Sequence, residues 1–181
     1  MSHRALRTDA PAAGGCAADR PMPAQQGRTL VLGIGNLLLG DDGAGLHILE
    51  SLSRDPRLPA DADLVDGGTL SFTLLPLLED ADAWIVLDAA RLDAPPGTVR
   101  VMQDAEMDRF VARPGGVSVH EVSLAELMDM ARLAGRLPRR RAFVAIQPER
   151  LDWAERPEPS VQVAIPRAAE AVLELLGEWS R

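Results

Sequence analysis

The sequence predicts an α/β protein with three α/β/α layers. We expect a mostly parallel, twisted sheet of about five strands with helices on both faces. Short, continuous apolar runs such as Thr29–Ile34 are typical of strands that are covered on both sides. Segments with helical periodicity alternate with these runs, and turn-forming residues separate the two kinds of segment. The length of 181 residues fits one domain.

Residues 1–28 differ from the rest of the chain, because they are rich in Ala, Pro and Gly and lack apolar periodicity. Such a segment has little apolar surface to offset the entropy of ordering. We therefore predict a disordered N-terminal tail over residues 1–28 and a single α/β domain over residues 29–181. The sole cysteine, Cys16, falls in this tail, which excludes an internal disulfide and a cysteine-based zinc site.

The charge and the hydropathy of the chain limit the partners that we expect it to bind. The net charge is −8 and the chain contains no lysine, so nucleic acid is a poor candidate ligand. No apolar run reaches the roughly 18 residues that a membrane-spanning helix requires. We expect a cytoplasmic protein that does not insert into membranes. The sequence leaves the oligomeric state open, and we take a monomer as the expectation.

The first half of the domain contains three strands and two helices. After the first strand, the helix Gly45–Leu52 is predicted because Ile48, Leu49 and Leu52 share one face. A short strand follows and ends in a glycine turn, and Ala83–Leu87, with the sequence Ala-Trp-Ile-Val-Leu, is the strongest candidate for a central strand. The predicted elements after the first helix are the strand Asp63–Asp66, the helix Leu70–Leu78 and the strand Ala83–Leu87.

The second half is predicted from turn and cap signals. The turn Asp93–Gly97 leads into a strand that ends at Met102, and the connection Met107–Gly116 reads as irregular. Ser123 and Glu126 have the spacing of a capping box, which predicts that a helix begins at Ser123. Gly135 stands where a left-handed residue closes such a helix, after Ala134.

The last strand and helix complete the domain. We expect Arg139-Arg140-Arg141 to be a solvated cluster at the start of the strand Arg141–Ile146. The long helix Ser160–Ser180 is predicted from an apolar stripe opposite a charged face. Pro166 marks either a kink within this helix or its first regular turn.

Polar residues follow several predicted strands, at the edge where ligands bind in open α/β sheets. Asn36, Asp41 and Asp42 follow the first strand. Asp66 ends the second strand and Asp88 follows the third, while His120 precedes a helix. Two carboxylates and an imidazole suit a borderline metal ion such as Ni²⁺, Zn²⁺ or Fe²⁺ and leave positions open for a substrate.

Structural explanations remain open for the same residues. Asp41 or Asp42 could cap the following helix and favour its positive end, although a cap needs only one of them. Asp66, followed by Gly67, resembles a turn residue. His120 taken alone is more typical of a loop histidine than of a ligand.

Three other functional classes fit the residues poorly. A dinucleotide-binding fingerprint needs a third glycine where the chain has Leu38. A receiver domain needs a lysine at the end of its last strand, and Gln147 occupies that region. A serine or cysteine nucleophile is unsupported, since no Gly-x-Ser-x-Gly elbow occurs and Cys16 lies in the tail.

The ordered series of motifs resembles the hydrogenase maturation proteases, which are endopeptidases that trim the C-terminus of the [NiFe]-hydrogenase large subunit. The matching segments run in the family's order from about Thr29 to Leu176. They are Gly33-Ile34-Gly35-Asn36, Gly40-Asp41-Asp42-Gly43-Ala44-Gly45, Asp66-Gly67-Gly68-Thr69, Trp84-Ile85-Val86-Leu87-Asp88-Ala89, Ser118-Val119-His120-Glu121 and Val144-Ala145-Ile146-Gln147-Pro148-Glu149.

This resemblance implies that Asp42, Asp88 and His120 contact a metal and carry the catalysis. The metal would be nickel carried by the substrate, the precursor of a hydrogenase large subunit, and no tightly bound cofactor of the enzyme's own is expected. Four further residues would support these groups or shape the cleft: Asn36, Asp41, Asp66 and Gly67. Two alternatives use the same residues, a nickel-sensing chaperone without protease activity and an unrelated metal-dependent hydrolase.

Overall fold

A computed structural model describes residues 27–69, 74–113 and 121–180. These residues form five strands and five helices, plus a 3₁₀ turn at Asp41–Gly43. The strands are β1 (Thr29–Gly33), β2 (Ala62–Asp66), β3 (Ala83–Ala89), β4 (Val99–Gln103) and β5 (Arg140–Ile146). The helices are α1 (Ala44–Ser53), α2 (Leu75–Glu79), α3 (Asp104–Val111), α4 (Glu121–Leu133) and α5 (Pro159–Trp179).

The sheet has the order β2-β1-β3-β5-β4. All neighbouring strands are parallel except β4, which pairs antiparallel with β5. The register places Gly33, the last residue of β1, opposite Asp66 of β2 and Leu87 of β3. The carboxyl ends of the three strands therefore meet at one edge, and the predicted mostly parallel five-stranded sheet is confirmed.

Two apolar layers cover the sheet, because successive side chains of a strand point to opposite faces. Trp84 and Val86 of β3 face α2, α3 and α4. Ile85 and Leu87 face α1 and α5 on the other side. The indole Nε1 of Trp84 donates a 2.9 Å hydrogen bond to the carbonyl oxygen of Leu78, which ties β3 to α2. The three-layer prediction is also confirmed.

Several local predictions need correction. The connection predicted to be irregular from Met107 begins within α3, where Met107, Phe110 and Val111 are buried on one face. Helix α4 begins at Glu121, two residues before Ser123, so the predicted capping box is wrong. Gly135 does follow α4 with a left-handed φ of 67°. The first residues of the predicted helix Leu70–Leu78 lie outside the described part of the chain.

In the arginine cluster at the start of β5, Arg139 and Arg140 are exposed as predicted, whereas Arg141 is not. The side chain of Arg141 is only 12% exposed and pairs with Asp108 of α3 at 2.6 Å. The hydrogen bond to Asp108 raises the pKa of Arg141 above its ordinary value. Pro166 lies inside α5 and not in its first turn. Across residues 27–69, 74–113 and 121–180, no helix combines the length and the apolar character needed to span a bilayer.

Candidate active site

The turn between β1 and α1 carries two adjacent buried carboxylates. Asp41 is 1% exposed and Asp42 is 2% exposed. A charge buried to this degree is costly unless hydrogen bonds or opposite charges compensate it. Neither aspartate is the N-cap residue of α1, because Gly43 occupies that position. Both acids lie in the 3₁₀ turn directly before α1.

Asp42 is directed toward the end of β1. Its Oδ2 accepts a 3.0 Å hydrogen bond from the backbone N–H of Asn36. The backbone of Asp42 also packs closely on Gly35, because a Cβ at Gly35 would lie 2.1 Å from the Asp42 carbonyl oxygen. Gly35 has a φ of 140°, a conformation that other residues rarely adopt. Asn36 stabilises the loop further, since its Oδ1 accepts a 3.0 Å hydrogen bond from the N–H of Leu38.

Asp41 is directed away from Asp42's partners, toward the segment between β5 and α5. Its Oδ2 accepts hydrogen bonds from the backbone N–H groups of Glu149 at 2.8 Å and Arg150 at 3.0 Å. Its Oδ1 accepts the N–H of Glu158 at 2.6 Å. Both oxygens of Asp41 are thus occupied by backbone donors, and the chain's two adjacent acids have different surroundings.

Asp88 lies on β3, the central strand, and is 1% exposed. Its Oδ1 accepts a 2.7 Å hydrogen bond from the N–H of Ala89. The alternation along β3 places Asp88 on the same face as Trp84 and Val86, the face that α4 covers. His120 lies outside the described residues, and it directly precedes Glu121, the first residue of α4.

The ends of β1 and β3 are joined next to Asp88, and the turn that carries Asp42 contacts β3. The N–H of Ile34 donates a 2.8 Å hydrogen bond to the Leu87 carbonyl oxygen, one residue before Asp88. Gly45 of α1 packs against that same oxygen, and the 3₁₀ turn containing Asp42 contacts β3. Among the described residues, no group of three or more His, Cys, Asp or Glu side chains is arranged to hold a metal ion.

Asp66 and Gly67 lie beside this edge. Asp66 Oδ1 accepts a 2.8 Å hydrogen bond from the N–H of Gly68, which is the turn geometry that the sequence predicts. Gly67 donates its N–H to the Gly33 carbonyl oxygen at 2.8 Å. A cleft of about 330 Å³ opens between α1 and β2, and Asp66 and His47 are among its lining residues.

Two contributors to this edge were not predicted as site residues. One is the segment that binds Asp41, 108 to 117 residues away in the chain; its Glu149 belongs to a motif shared with the family, but no local signal pairs it with Asp41. The other is Gln147, which belongs to a motif shared with the family but was not predicted to have a role of its own. Its Oε1 accepts a 2.6 Å hydrogen bond from the N–H of Leu92 and so joins the loop after β3 to the end of β5.

Comparison with known proteins gives a consistent result. A family model described as hydrogenase maturation protease matches residues 46–175. The hydrogenase 2 maturation protease of Escherichia coli is 34% identical over 153 residues, covering 83% of this chain and 92% of that protein. A hydrogenase expression/formation protein of Rhodobacter capsulatus, HupD, is 40% identical over 82% of this chain and 71% of its own length. The solved structure of the hydrogenase maturating endopeptidase HybD from E. coli superimposes with a TM-score of 0.77, at 34% identity, over 83% of this chain and 93% of that one.

Proposed function

We propose that this chain removes a C-terminal peptide from the precursor of a [NiFe]-hydrogenase large subunit. The chain belongs to the hydrogenase maturation protease family and is an endopeptidase. The proposal specifies a substrate that already carries nickel. Asp42, Asp88 and His120 would recognise that nickel. The enzyme would then need no tightly bound metal of its own.

The observation that supports this proposal most is the burial of two carboxylates, Asp42 in the turn before α1 and Asp88 near the end of β3. Asp42 and Asp88 are 2% and 1% exposed. The hydrogen bond between Ile34 and Leu87 joins β1 to β3 next to Asp88, and the 3₁₀ turn that carries Asp42 contacts β3. Carboxylate oxygens together with one imidazole nitrogen form a ligand set that suits nickel. A set without cysteine leaves the thiolate ligands to the substrate.

Two chemical roles follow for these carboxylates. In the first, they bind the nickel of the precursor, which then polarises the scissile carbonyl or a water molecule as a Lewis acid. In the second, Asp42 or Asp88 acts as a general base on the attacking water. Both roles require the two carboxylates to be held in a fixed arrangement, and the backbone hydrogen bonds to Asp42 and Asp88 support such an arrangement.

The intact mass of a C-terminally extended large-subunit precursor tests the proposal. The precursor is incubated with this protein in a nickel-loaded and a nickel-free form. We expect a C-terminal peptide to be lost from the nickel-loaded form alone. Equal cleavage of both forms would contradict nickel recognition, and an unchanged mass of a cognate, loaded precursor would favour the chaperone without protease activity.

A further inference from the structure

Both carboxylate oxygens of Asp41 accept hydrogen bonds from backbone N–H groups. Three N–H groups, from Glu149, Arg150 and Glu158, donate to its two oxygens at 2.6 to 3.0 Å. Hydrogen bonds to an ionised acceptor are stronger than those between neutral groups. The carboxylate thus fixes both ends of the segment 149–158, the second end being the residue that immediately precedes α5.

The chain around Asp41 reinforces this connection. The N–H of Gly40 donates to the Ala154 carbonyl oxygen at 3.1 Å, and the N–H of Ala154 donates to the Leu38 carbonyl oxygen at 3.2 Å. The loop before the 3₁₀ turn is therefore paired, through its backbone, with the middle of the same segment. Asp41 binds the two ends of the segment and these bonds bind its centre.

Asp42 is the next residue, and its carboxylate is oriented by different groups. Its Oδ2 accepts the N–H of Asn36, on the β1 side of the turn. Since Asp41 and Asp42 share one 3₁₀ turn, a displacement of Asp41 must move the backbone that carries Asp42. The position of Asp42 thus depends on contacts made on both sides of the turn.

We propose that Asp41 is a positioning residue of the peptidase: its carboxylate locks the turn that carries Asp42 onto the segment 149–158 and the start of α5. This inference rests on the proposed function, in which Asp42 acts at the nickel of the substrate. Asp41 itself does not contact the substrate in this scheme. Its negative charge is required because three donors converge on it, and an amide offers only one acceptor oxygen.

Two variants on opposite sides of the contact test this inference. Asp41→Asn leaves the shape of the side chain but replaces one acceptor oxygen by an NH₂ group. Glu158→Pro removes the N–H that donates to Asp41 Oδ1 and puts a ring carbon in its place, which pushes the carboxylate away. The backbone at Glu158 already has φ −62° and ψ 154°, which proline adopts and which suits a residue before Pro159. The second variant keeps the test decisive if Asp41→Asn does not fold.

Matched controls separate the backbone contact from the side chain of Glu158. Glu158→Ala removes the salt bridge to Arg150 but keeps the N–H that Asp41 accepts. Ser160→Ala removes the hydrogen bond to Glu149 Oε2 in the same segment, again without touching Asp41. Each protein is assayed on nickel-loaded precursor well below its unfolding temperature, with kcat and KM measured separately.

We expect Asp41→Asn to lower kcat by roughly 10- to 100-fold, since a displacement of about 1 Å at a reacting group costs up to about 100-fold. Glu158→Pro should lower kcat severalfold. KM should stay within about threefold for both, because the precursor does not contact Asp41. Glu158→Ala and Ser160→Ala should keep kcat within about twofold of the unchanged protein.

The inference is overturned if Glu158→Pro retains the full kcat, or if Glu158→Ala loses as much as Glu158→Pro. A kcat retained by folded Asp41→Asn overturns it equally. These results differ from failure of the proposed function, in which the unchanged protein itself does not cleave nickel-loaded precursor.

Discussion

The contact between α1 and the ends of β1 and β3 provides a quantitative test of the site's construction. A Cβ at Gly45 would lie 2.2 Å from the Leu87 carbonyl oxygen and 2.3 Å from that of Ile34. Both are backbone atoms, of Leu87 within β3 and of Ile34 directly after β1, and the Leu87 oxygen is already bound to the Ile34 N–H, so neither can rotate away. Ordinary contact requires about 3.4 Å, so α1 would have to move by roughly 1 Å.

Gly45→Ala should therefore destabilise the protein although it replaces a helical glycine. The intrinsic helix propensity of alanine contributes about 1 kcal/mol of stability. Overpacking against rigid neighbours costs about 1–3 kcal/mol of stability. The cost at position 45 should lie near the upper end of that range, because the contacted atoms are backbone atoms. We expect a net loss of about 2 kcal/mol in the free energy of unfolding. Urea denaturation measures it as a lower midpoint with an unchanged slope.

Gly177→Ala in α5 is the matched control, because a Cβ there would meet no atom within 4 Å. It should raise the free energy of unfolding by about 0.5–1 kcal/mol. Gly45→Ala should also lower the cleavage rate of the nickel-loaded precursor, since the displaced helix follows directly on the turn that carries Asp42. A Gly45→Ala protein as stable as Gly177→Ala would refute this reasoning.

Two further predictions concern stability and its dependence on pH. Trp84→Phe should lower the free energy of unfolding, measured by urea denaturation, by about 2–3 kcal/mol, because it leaves the buried Leu78 carbonyl of α2 without its donor. Trp153→Phe is the control and should change the free energy of unfolding little, because Trp153 is 74% exposed. The side-chain hydrogen bonds from Arg57 lower the pKa of Asp55 and of Glu170. A lowered folded-state pKa adds stability above the unfolded-state pKa, and that stability is lost as the pH falls through the folded-state value. The difference in thermal midpoint between the unchanged protein and Arg57→Gln should therefore be largest near pH 7 and should shrink as both carboxylates protonate. A difference that grows toward acidic pH would contradict the pairing of Arg57 with Asp55 and Glu170.

The sequence was sufficient to predict the sheet because its central strands are buried on both faces. Trp84 to Leu87 are apolar at every position, and no helical period competes with that pattern. The Asx turn at Asp66 was equally predictable, since the aspartate and the following glycines act within three residues. The end of β3 then indicates where Asp88 lies, and the loop after β1 leads to Asp42.

Other features depend on contacts that no local pattern encodes. Helix α3 follows β4 without a loop, and Asp104 at the junction has a φ of 45°, so no turn signal separates the two elements. The spacing of Met107, Phe110 and Val111, which are buried on one face of α3, is the local signal that this helix offers. Arg141 looked solvated within its arginine run because its partner, Asp108, is 33 residues away.

The adjacent acids illustrate the same limit at the site. Without the family resemblance, Asp41 and Asp42 are equivalent candidates for a cap or an ion site. Only the fold reveals that Asp41 accepts three N–H groups from the segment after β5, while Asp42 accepts the N–H of Asn36. Their different surroundings come from tertiary contacts that cross more than half of the chain.

In the proposed function, Asp42 and Asp88 act on a nickel-loaded precursor, and the Asp88→Asn variant tests this role. The intact mass of that precursor is recorded after incubation with the unchanged protein and with Asp88→Asn, whose folding is verified by circular dichroism. We expect loss of a C-terminal peptide with the unchanged protein and full precursor mass with Asp88→Asn. Full cleavage by Asp88→Asn would contradict both the nickel-binding and the general-base role of this carboxylate.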